Sequence, residues 1–183
     1  MRFANGLRER EPLTKPKDTD LTAKRLRALL DYEPDTGIFR RKTDGWPRRW
    51  QKGQIAGTMQ NRGYVHIWVD GRHYLAHRLA WLHVYGEWPN GTLDHINSAR
   101  DDNRMCNIRI ASGSQNNANS RKSRANNSGI KGVSWHKPTK KWQAQITVDR
   151  KNIHLGYYAT TDEARDAYKV AAIKYQGEFA RFD

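Results

Sequence analysis

The sequence predicts an α+β protein with a central strand–loop–strand–helix unit and a C-terminal three-stranded antiparallel sheet packed on one helix. The central unit is indicated by short strand patterns on either side of a polar, turn-rich run within residues 93–117. The sheet is indicated by three alternating apolar and polar stretches after residue 129, followed by a helix with one apolar stripe. A chain of 183 residues is long enough for one ordinary domain or two small ones.

The composition favours a polyanionic partner. The chain carries 33 basic and 19 acidic residues, which gives a formal net charge of +14. We therefore expect it to bind nucleic acid, with an anionic membrane surface as the second choice. Apolar runs are short and no signal peptide is recognisable, so a cytoplasmic, intracellular protein is expected. The single cysteine, Cys106, excludes an internal disulfide and a multi-cysteine zinc site.

Residues 1–50 are predicted to form a basic N-terminal region with one helix and one short strand. Residues 1–18 lack a hydrophobic period and are expected to form a loose arm. From Asp20 onwards leucines recur at helical spacing, and this helix should end before Pro34. A turn then leads into a predicted strand, Ile38–Arg41.

Basic residues interleave with tryptophans at the end of this region. The mixture is typical of a surface that follows a phosphate backbone, but it is equally compatible with tryptophans packed beneath long basic side chains. Both interpretations stay open. The candidate DNA-binding residues here are Arg40, Arg41, Lys42, Arg48 and Arg49, interleaved with Trp46 and Trp50.

Residues 51–120 are predicted to form the second domain, which begins with a hairpin and a helix. Asp70-Gly71 is strongly suited to a two-residue hairpin turn between strands at 63–69 and 72–76. A helix with apolar bulk follows over 77–85. It contains two histidines that are expected to be core or hydrogen-bonded residues rather than metal ligands, His77 and His83.

The same domain holds a pattern of chemically capable side chains within residues 93–117. An adjacent acid and imidazole, Asp94 and His95, stand on a predicted strand. Asn107 follows His95 by twelve positions, across a polar run suited to a hairpin tip. Asn116 follows Asn107 by nine positions and stands on a short predicted helix.

This combination is suited to hydrolysis of a phosphodiester bond. Neutral imidazole can act as a general base near pH 7, since its unperturbed pKa is about 6.5. The Asp94 carboxylate and an amide oxygen of Asn116 can hold one Mg²⁺ or Mn²⁺ weakly until a phosphate joins it. Because adjacent strand residues point to opposite faces, Asp94 and His95 can meet only at an irregular strand end. We expect Asn107 to hold that end by hydrogen-bonding across the hairpin.

Residues 121–128 are polar, small and basic, and are predicted to be a linker to a third domain, residues 129–183. The alternating stretches of that domain predict an antiparallel sheet with one apolar and one polar face. Thr160 and Glu163 have capping-box spacing at the start of the striped helix. That helix should cover the apolar face of the sheet and leave the polar face open.

The open face and its basic turns are predicted to contact DNA. Gln and Asn side chains can bind base edges, and a sheet can enter the major groove. The alternative is an ordinary polar face in contact with solvent. The candidate DNA-binding residues are Ser134, His136, Lys137, Lys141, Gln143, Gln145, Thr147, Arg150, Asn152 and His154.

The chain resembles the HNH endonuclease family, in the variant whose last His is replaced by Asn, over LAHRLAWLHVYGEWPNGTLDHINSARDDNRMCNIRIASGSQNN. Such sequences are similar to the free-standing and intron-borne homing nucleases of bacteriophages. The resemblance covers about residues 63–119 and implies a ββα-metal HNH nuclease core without the paired cysteines of zinc-stabilised members. The roles it implies are general base for His95, metal ligands for Asp94 and Asn116, loop fixing for Asn107 and a structural hairpin position for Asn103.

The C-terminal domain resembles the Apetala-two/ethylene-response-factor DNA-binding domain from 129 to about 182. The matching features are Gly132-Val133, Lys141-Trp142, Leu155-Gly156 and the helix pattern beginning at Glu163-Ala164. Such domains are similar to those fused to HNH nucleases. The resemblance supports the fold more than any target sequence, because the positions of Arg or Trp contacts in plant relatives are Ser134, Thr147 and His154 here.

Together these inferences predict a metal-dependent DNA endonuclease of homing type that hydrolyses phosphodiester bonds at a recognised site. We expect one Mg²⁺ or Mn²⁺ per active site, double-stranded DNA as the partner, and neither a membrane nor a small-molecule substrate. One centre per chain suits a monomer or a weak dimer. Two alternatives stay open, a non-catalytic sequence-specific DNA-binding regulator and an RNA-binding protein.

Overall fold

The computed structural model describes residues 21–45, 49–123 and 126–182. Within these ranges the helices are α1 (Ala23–Leu29), α2 (Ala76–Tyr85), α3 (Gly113–Ala118) and α4 (Thr161–Gln176). The strands are β1 (Leu30–Glu33), β2 (Ile38–Arg41), β3 (Ile55–Ala56), β4 (Thr58–Met59), β5 (Val65–Val69), β6 (Arg72–Leu75), β7 (Thr92–His95), β8 (Ile108–Ala111), β9 (Val133–His136), β10 (Lys141–Val148) and β11 (Lys151–Tyr158). Short 3₁₀ helices span Met105–Asn107 and Gly177–Phe179. The predicted arm at 1–18 and the predicted contact Arg48 lie outside the described residues.

The strands of the described ranges form four antiparallel sheets. Their orders are β1-β2-β3, β4-β5-β6, β7-β8 and β11-β10-β9. Because helices lie between or against these small sheets, the predicted α+β class is confirmed. No helix in the described part of the chain is long and apolar enough to cross a membrane.

Helix α1 is shorter than the sequence predicts. The Thr22 side chain caps its start by accepting a hydrogen bond from the backbone N–H of Arg25. The helix ends at Leu29, and Leu30 is already extended, with φ −132° and ψ 137°. The helix therefore ends before Pro34, as predicted, but Leu30, which the leucine spacing places on the helix, belongs to β1. Leu30 and Tyr32 are buried at alternate positions of β1 and pair with β2, so strand pairing overrides the local helical spacing.

The largest hydrophobic core joins the N-terminal elements to the central domain. Leu26 and Leu30 belong to the same buried cluster as Ile67 of β5, Leu79 of α2 and Ile108 of β8. Each of the first four is completely buried. This core crosses the domain boundary predicted at residue 50 and packs α1, β1 and β2 against the elements that carry the candidate site.

The hairpin β5–β6 turns where the sequence predicts. Asp70 and Gly71 have φ of 44° and 84°, the left-handed pair that a type I′ turn requires. The strands pair from Val69 with Arg72 outward. Arg25 of α1 binds the Asp70 carboxylate with both Nε (2.9 Å) and a terminal nitrogen (2.8 Å), which fixes the turn against α1.

The C-terminal sheet is covered on one face by α4, as predicted. Thr160 and Glu163 form the capping box that starts this helix. Ala164 and Ala172 are fully buried against the sheet, together with Ile146 of β10. A Cβ atom on Gly132 would lie 2.2 Å from the Tyr168 ring, so only glycine allows the chain to pass this closely beneath α4.

Candidate active site and nucleic-acid interface

The hairpin β7–β8 carries the candidate site and places both Asp94 and His95 in one cleft. Asp94 pairs with Arg109 and His95 pairs with Ile108 across the hairpin. Beyond His95 the strand turns, since the backbone N–H of Ser98 donates to the His95 carbonyl (2.8 Å). Both side chains line a cleft of about 580 Å³, so the irregular strand end that the chemistry requires is present.

The Asp94 carboxylate is buried and held by two side chains. The amide nitrogen of Asn119 donates to both carboxylate oxygens (3.0 Å each) and to the His95 carbonyl (2.8 Å). Nε of Arg109 donates to Oδ2 of Asp94 (3.1 Å). These three contacts use fewer than the about four lone-pair sites of an ionised carboxylate, so acceptor capacity remains for a cation.

His95 is a buried imidazole between aromatic and amide neighbours. Its ring lies 4.9 Å from that of His77 and 6.0 Å from that of Tyr64, measured between centroids. Its Nε2 is 3.5 Å from Oδ1 of Asn103. Burial lowers the pKa of the His95 imidazole, and the hydrogen bond with Asn103 only partly opposes this. The imidazole is therefore neutral near pH 7, as a general base requires.

Asn107 fixes the loop that follows His95. Its Oδ1 accepts from the backbone N–H of Asn97 (3.0 Å), and its Nδ2 donates to the carbonyl of Asp102 (2.8 Å). Its own carbonyl accepts from the N–H of Ile96 (2.9 Å). Asn107 is buried and does not line the cleft, so its geometry is that of a positioning residue.

Asn116 and Asn119 both line the cleft, but of the two only Asn119 is hydrogen-bonded to Asp94. Asn116, on α3, is half-buried and lines the cleft beside Asp94 and His95. Asn119, which caps the end of α3, is the residue that binds Asp94 directly. No role is predicted for Asn119 from the sequence, although its spacing of three from Asn116 places both amides on one helical face.

The donor set fits a hard divalent cation. Among the described residues, no group of three or more His, Cys, Asp and Glu side chains is arranged to hold a metal. The candidate ligands are the carboxylate of Asp94 and the amide oxygen of Asn116, two residues that line the cleft. Mg²⁺ and Mn²⁺ are compatible with such a site, because Mg²⁺ commonly uses one or two carboxylates together with waters and substrate phosphate oxygens.

Three arginines that no sequence pattern indicates also line the cleft. They are exposed and come from different segments, the β4–β5 loop, the β7–β8 loop and the chain after α3. The Arg100 guanidinium lies 4.9 Å from the centroid of the Tyr64 ring. Their position beside Asp94 is suited to a phosphate backbone. These residues are Arg62, Arg100 and Arg121.

The predicted basic surface near the N-terminal strand is only partly present. Arg41 is buried, its guanidinium lies 4.1 Å from the Trp50 ring, and it donates to the carbonyl of Trp68 (2.9 Å). Its guanidinium is thus engaged inside the fold, which disfavours the predicted contact of Arg41 with DNA. Arg40 and Arg49 are exposed, and Lys42 is exposed beside Asp31 (3.2 Å).

The polar face of the C-terminal sheet is open. His154 pairs with Gln145, and Asn152 pairs with Thr147. Gln143 reaches His154 on this face (3.2 Å). Of the residues predicted here to contact DNA, His136 and Gln143 are half-buried and the others are exposed. The full set is Ser134, His136, Lys137, Lys141, Gln143, Gln145, Thr147, Arg150, Asn152 and His154.

A pH dependence of stability is expected from His77. Burial, then the nearby His95, Arg78 and His66, lower its pKa to about 3. The unfolded chain takes up this proton near pH 6.5 and the folded chain does not, so the folded state loses stability as the pH falls from 6.5 towards 3. The expected slope from this residue is about 1.4 kcal/mol per pH unit.

Denaturant unfolding at pH 7.0 and 5.5 measures this slope. His77→Phe removes the titrating group and keeps an aromatic ring, so its free energy of unfolding should change less between the two pH values. Equal slopes for the wild type and His77→Phe would show that His77 is not the cause.

The fold and the cleft define a class: a protein with a buried carboxylate and a buried imidazole in one cleft, followed by an antiparallel sheet that one helix covers. Comparisons with known proteins give the family. Residues 74–118 match the HNH endonuclease family, and residues 128–178 match the AP2 domain. Protein 3.8 of Escherichia phage T7 is 30% identical over 113 residues, which cover 58% of this chain and 88% of that protein. The chain belongs to the HNH endonuclease family and has a C-terminal AP2 domain.

Other similarities cover the C-terminal domain or the overall chain path. The AP2-like ethylene-responsive transcription factor AIL7 of Arabidopsis thaliana is 43% identical over 49 residues, 26% of this chain and 10% of that protein. A solved structure, "DNA binding and cleavage by the HNH homing endonuclease I-HmuI", is 19% identical and covers 81% of this chain and 85% of that chain. Its TM-score is 0.39, so the likeness is partial.

Proposed function

We propose that this protein is a metal-dependent DNA endonuclease of homing type. The observation that carries the proposal is the cleft that holds the Asp94 carboxylate and the His95 imidazole side by side. Both are buried, and three arginines line the same cleft. Membership of the HNH endonuclease family supports hydrolysis of a phosphodiester bond as the reaction.

His95 acts as the general base. Its neutral imidazole accepts a proton from the water that attacks the phosphorus atom, while Asn103 and His77 limit rotation of the ring. Asp94 and Asn116 would hold a divalent ion in the cleft, and such an ion would supply Lewis-acid stabilisation of the charge that develops on the phosphate and on the departing 3′ oxygen. Asn119 keeps the carboxylate oriented, and the arginines of the cleft bind the flanking phosphates.

The AP2 domain selects the DNA on which this centre acts. Its open face carries amide, hydroxyl and imidazole groups, which can hydrogen-bond base edges in the major groove. Lysines and arginines in the adjacent turns bind phosphates. Double-stranded DNA is therefore the proposed partner. A chain with one centre would nick one strand as a monomer, and a weak dimer would cut both.

Plasmid cleavage tests the proposed function. Purified protein with Mg²⁺ or Mn²⁺ is expected to convert supercoiled plasmid that contains its site to nicked or linear DNA. The recognised site can first be identified by mapping cleavage in a DNA library of random sequence. Removal of the metal by EDTA should stop cleavage, and added Mn²⁺ should restore it.

The alternative is a regulator that binds DNA without cutting it. The AP2 domain alone is compatible with that function, since it supplies binding without chemistry. Tight, site-selective binding with no cleavage under any divalent ion would establish the regulator and overturn the endonuclease.

A further inference from the structure

The segment that follows α4 packs on the nuclease centre. Phe179 is buried in a small cluster with Ala111, at the end of β8, and Ala118, at the end of α3. These two elements flank Asp94, because β8 pairs with β7 and α3 leads to Asn119. The turn that follows α4 therefore packs on the two elements that flank Asp94.

One guanidinium joins this segment to the candidate metal ligand. Arg109 donates from Nε to Oδ2 of Asp94 (3.1 Å). A terminal nitrogen of Arg109 donates to the carbonyl of Glu178 (3.0 Å) and to its carboxylate (3.3 Å). The guanidinium carbon also lies 3.6 Å from the centroid of the Phe179 ring. The Glu178 carboxylate is 75% exposed, so the ring and the carbonyl are the stronger restraints.

A second series of contacts reaches the same carboxylate from the other side. Arg181 donates to the Ser98 hydroxyl in the loop after His95. That hydroxyl donates to the carbonyl of Asn119 (3.1 Å), and the Asn119 amide binds both oxygens of Asp94. Asp94 is thus fixed through Arg109 on one side and through Asn119 on the other, and both paths begin at 177–181.

We propose that residues 177–181 are a positioning element of the nuclease centre, which sets the divalent-metal affinity of Asp94 through Arg109 and through Ser98 and Asn119. The proposal rests on the proposed metal-dependent function. Partners of a metal ligand act by fixing its orientation, and their loss commonly weakens metal binding. The AP2 domain then strengthens metal binding as well as selecting DNA, and a chain that ends at residue 120 lacks both paths.

Substitutions of Phe179 give the sharpest test, because they can remove the π face of the ring while keeping an apolar side chain in its place. Phe179→Leu keeps an apolar side chain against Ala111 and Ala118 but removes the face beneath Arg109. Phe179→Tyr keeps that face. Phe182→Leu makes the same chemical change three residues further on, at an exposed side chain, and is the matched control.

The measurement is Mn²⁺ affinity of the full-length protein without DNA, from the electron paramagnetic resonance signal of free Mn²⁺. Phe179→Leu is expected to weaken Mn²⁺ binding about three- to thirtyfold, the range of a cation–π contact. Phe179→Tyr and Phe182→Leu should stay within about twofold of the wild type. If Phe179→Leu fails to fold, Arg181→Gln tests the second path by the same measurement and should weaken binding at least threefold, as loss of such a partner does.

The outcomes separate this proposal from the proposed function. A wild type that binds Mn²⁺ and cuts DNA, with Phe179→Leu binding Mn²⁺ equally well, overturns the positioning role and leaves the endonuclease intact. A wild type that neither binds Mn²⁺ nor cuts DNA overturns both. Weaker binding in Phe179→Leu that Phe179→Tyr shares also counts against the proposal, because the ring face is then not what matters.

Discussion

The variant His95→Ala is expected to cut DNA about 10²- to 10⁴-fold more slowly than the wild type, the usual contribution of a general base. His95 is the buried imidazole of the cleft that also holds Asp94, and its removal leaves the attacking water without a proton acceptor. DNA affinity should stay within about threefold, because the polar face of the AP2 domain is unchanged. Single-turnover cleavage of a bound site measures the first effect, and filter binding measures the second.

A matched control is His73→Ala. His73 is an exposed imidazole on β6 that packs edge-on against Trp68 and does not line the cleft. Its removal should leave the cleavage rate of the bound complex unchanged. A His95→Ala protein that binds DNA and cuts it at the wild-type rate would remove His95 from the mechanism.

The sequence predicts those features of the fold that depend on neighbouring residues. The turn at Asp70-Gly71 requires two left-handed residues in succession, and that requirement is visible in the residue types. Helix α4 has a capping box, Thr160 with Glu163, and one apolar stripe. Helix α1 differs, because its leucine spacing continues into β1, and only pairing with β2 ends the helix at Leu29.

The residues of the candidate site that lie in one short stretch of sequence could be predicted. The contacts that depend on segments distant in the chain could not. Asp94, His95 and Asn116 belong to one stretch of sequence, and the fold brings all three to one cleft. Arg109 alternates with apolar residues on β8 and has the sequence signature of an ordinary exposed strand residue. Its importance comes from Phe179, which is 70 positions away in the chain and meets it only in the folded protein.

The domain boundary predicted at residue 50 depends on local composition. Charge and tryptophan content change near that position, and these properties describe the surface rather than the core. In the folded protein α1 packs on α2 through the shared core. Two hydrogen bonds add to this packing: Arg27 donates to the carbonyl of His83 (2.8 Å), and the Trp88 indole donates to the carbonyl of Leu21 (3.0 Å). Local composition does not indicate such contacts between residues that are distant in the sequence.

The variant Leu26→Ala is expected to lower the free energy of unfolding of the nuclease domain by about 2–5 kcal/mol. Leu26 is completely buried in the core that also contains Ile67 and Leu79. The truncation leaves a cavity between α1 and α2, and a loss of this size is a large part of the total stability of an ordinary domain. Lys24→Ala is the control, because Lys24 is exposed on the same helix.

Hydrogen exchange measured by mass spectrometry distinguishes a shared core from an independent N-terminal region. Protection of the amides in β5 and α2 should fall in Leu26→Ala in step with the loss of stability, since those strands and helices unfold together with α1. Protection in β10 should fall less, because the sheet of the AP2 domain has its own core beneath α4. If β5 and α2 keep wild-type protection while α1 loses it, the N-terminal elements fold separately and the boundary at residue 50 is real.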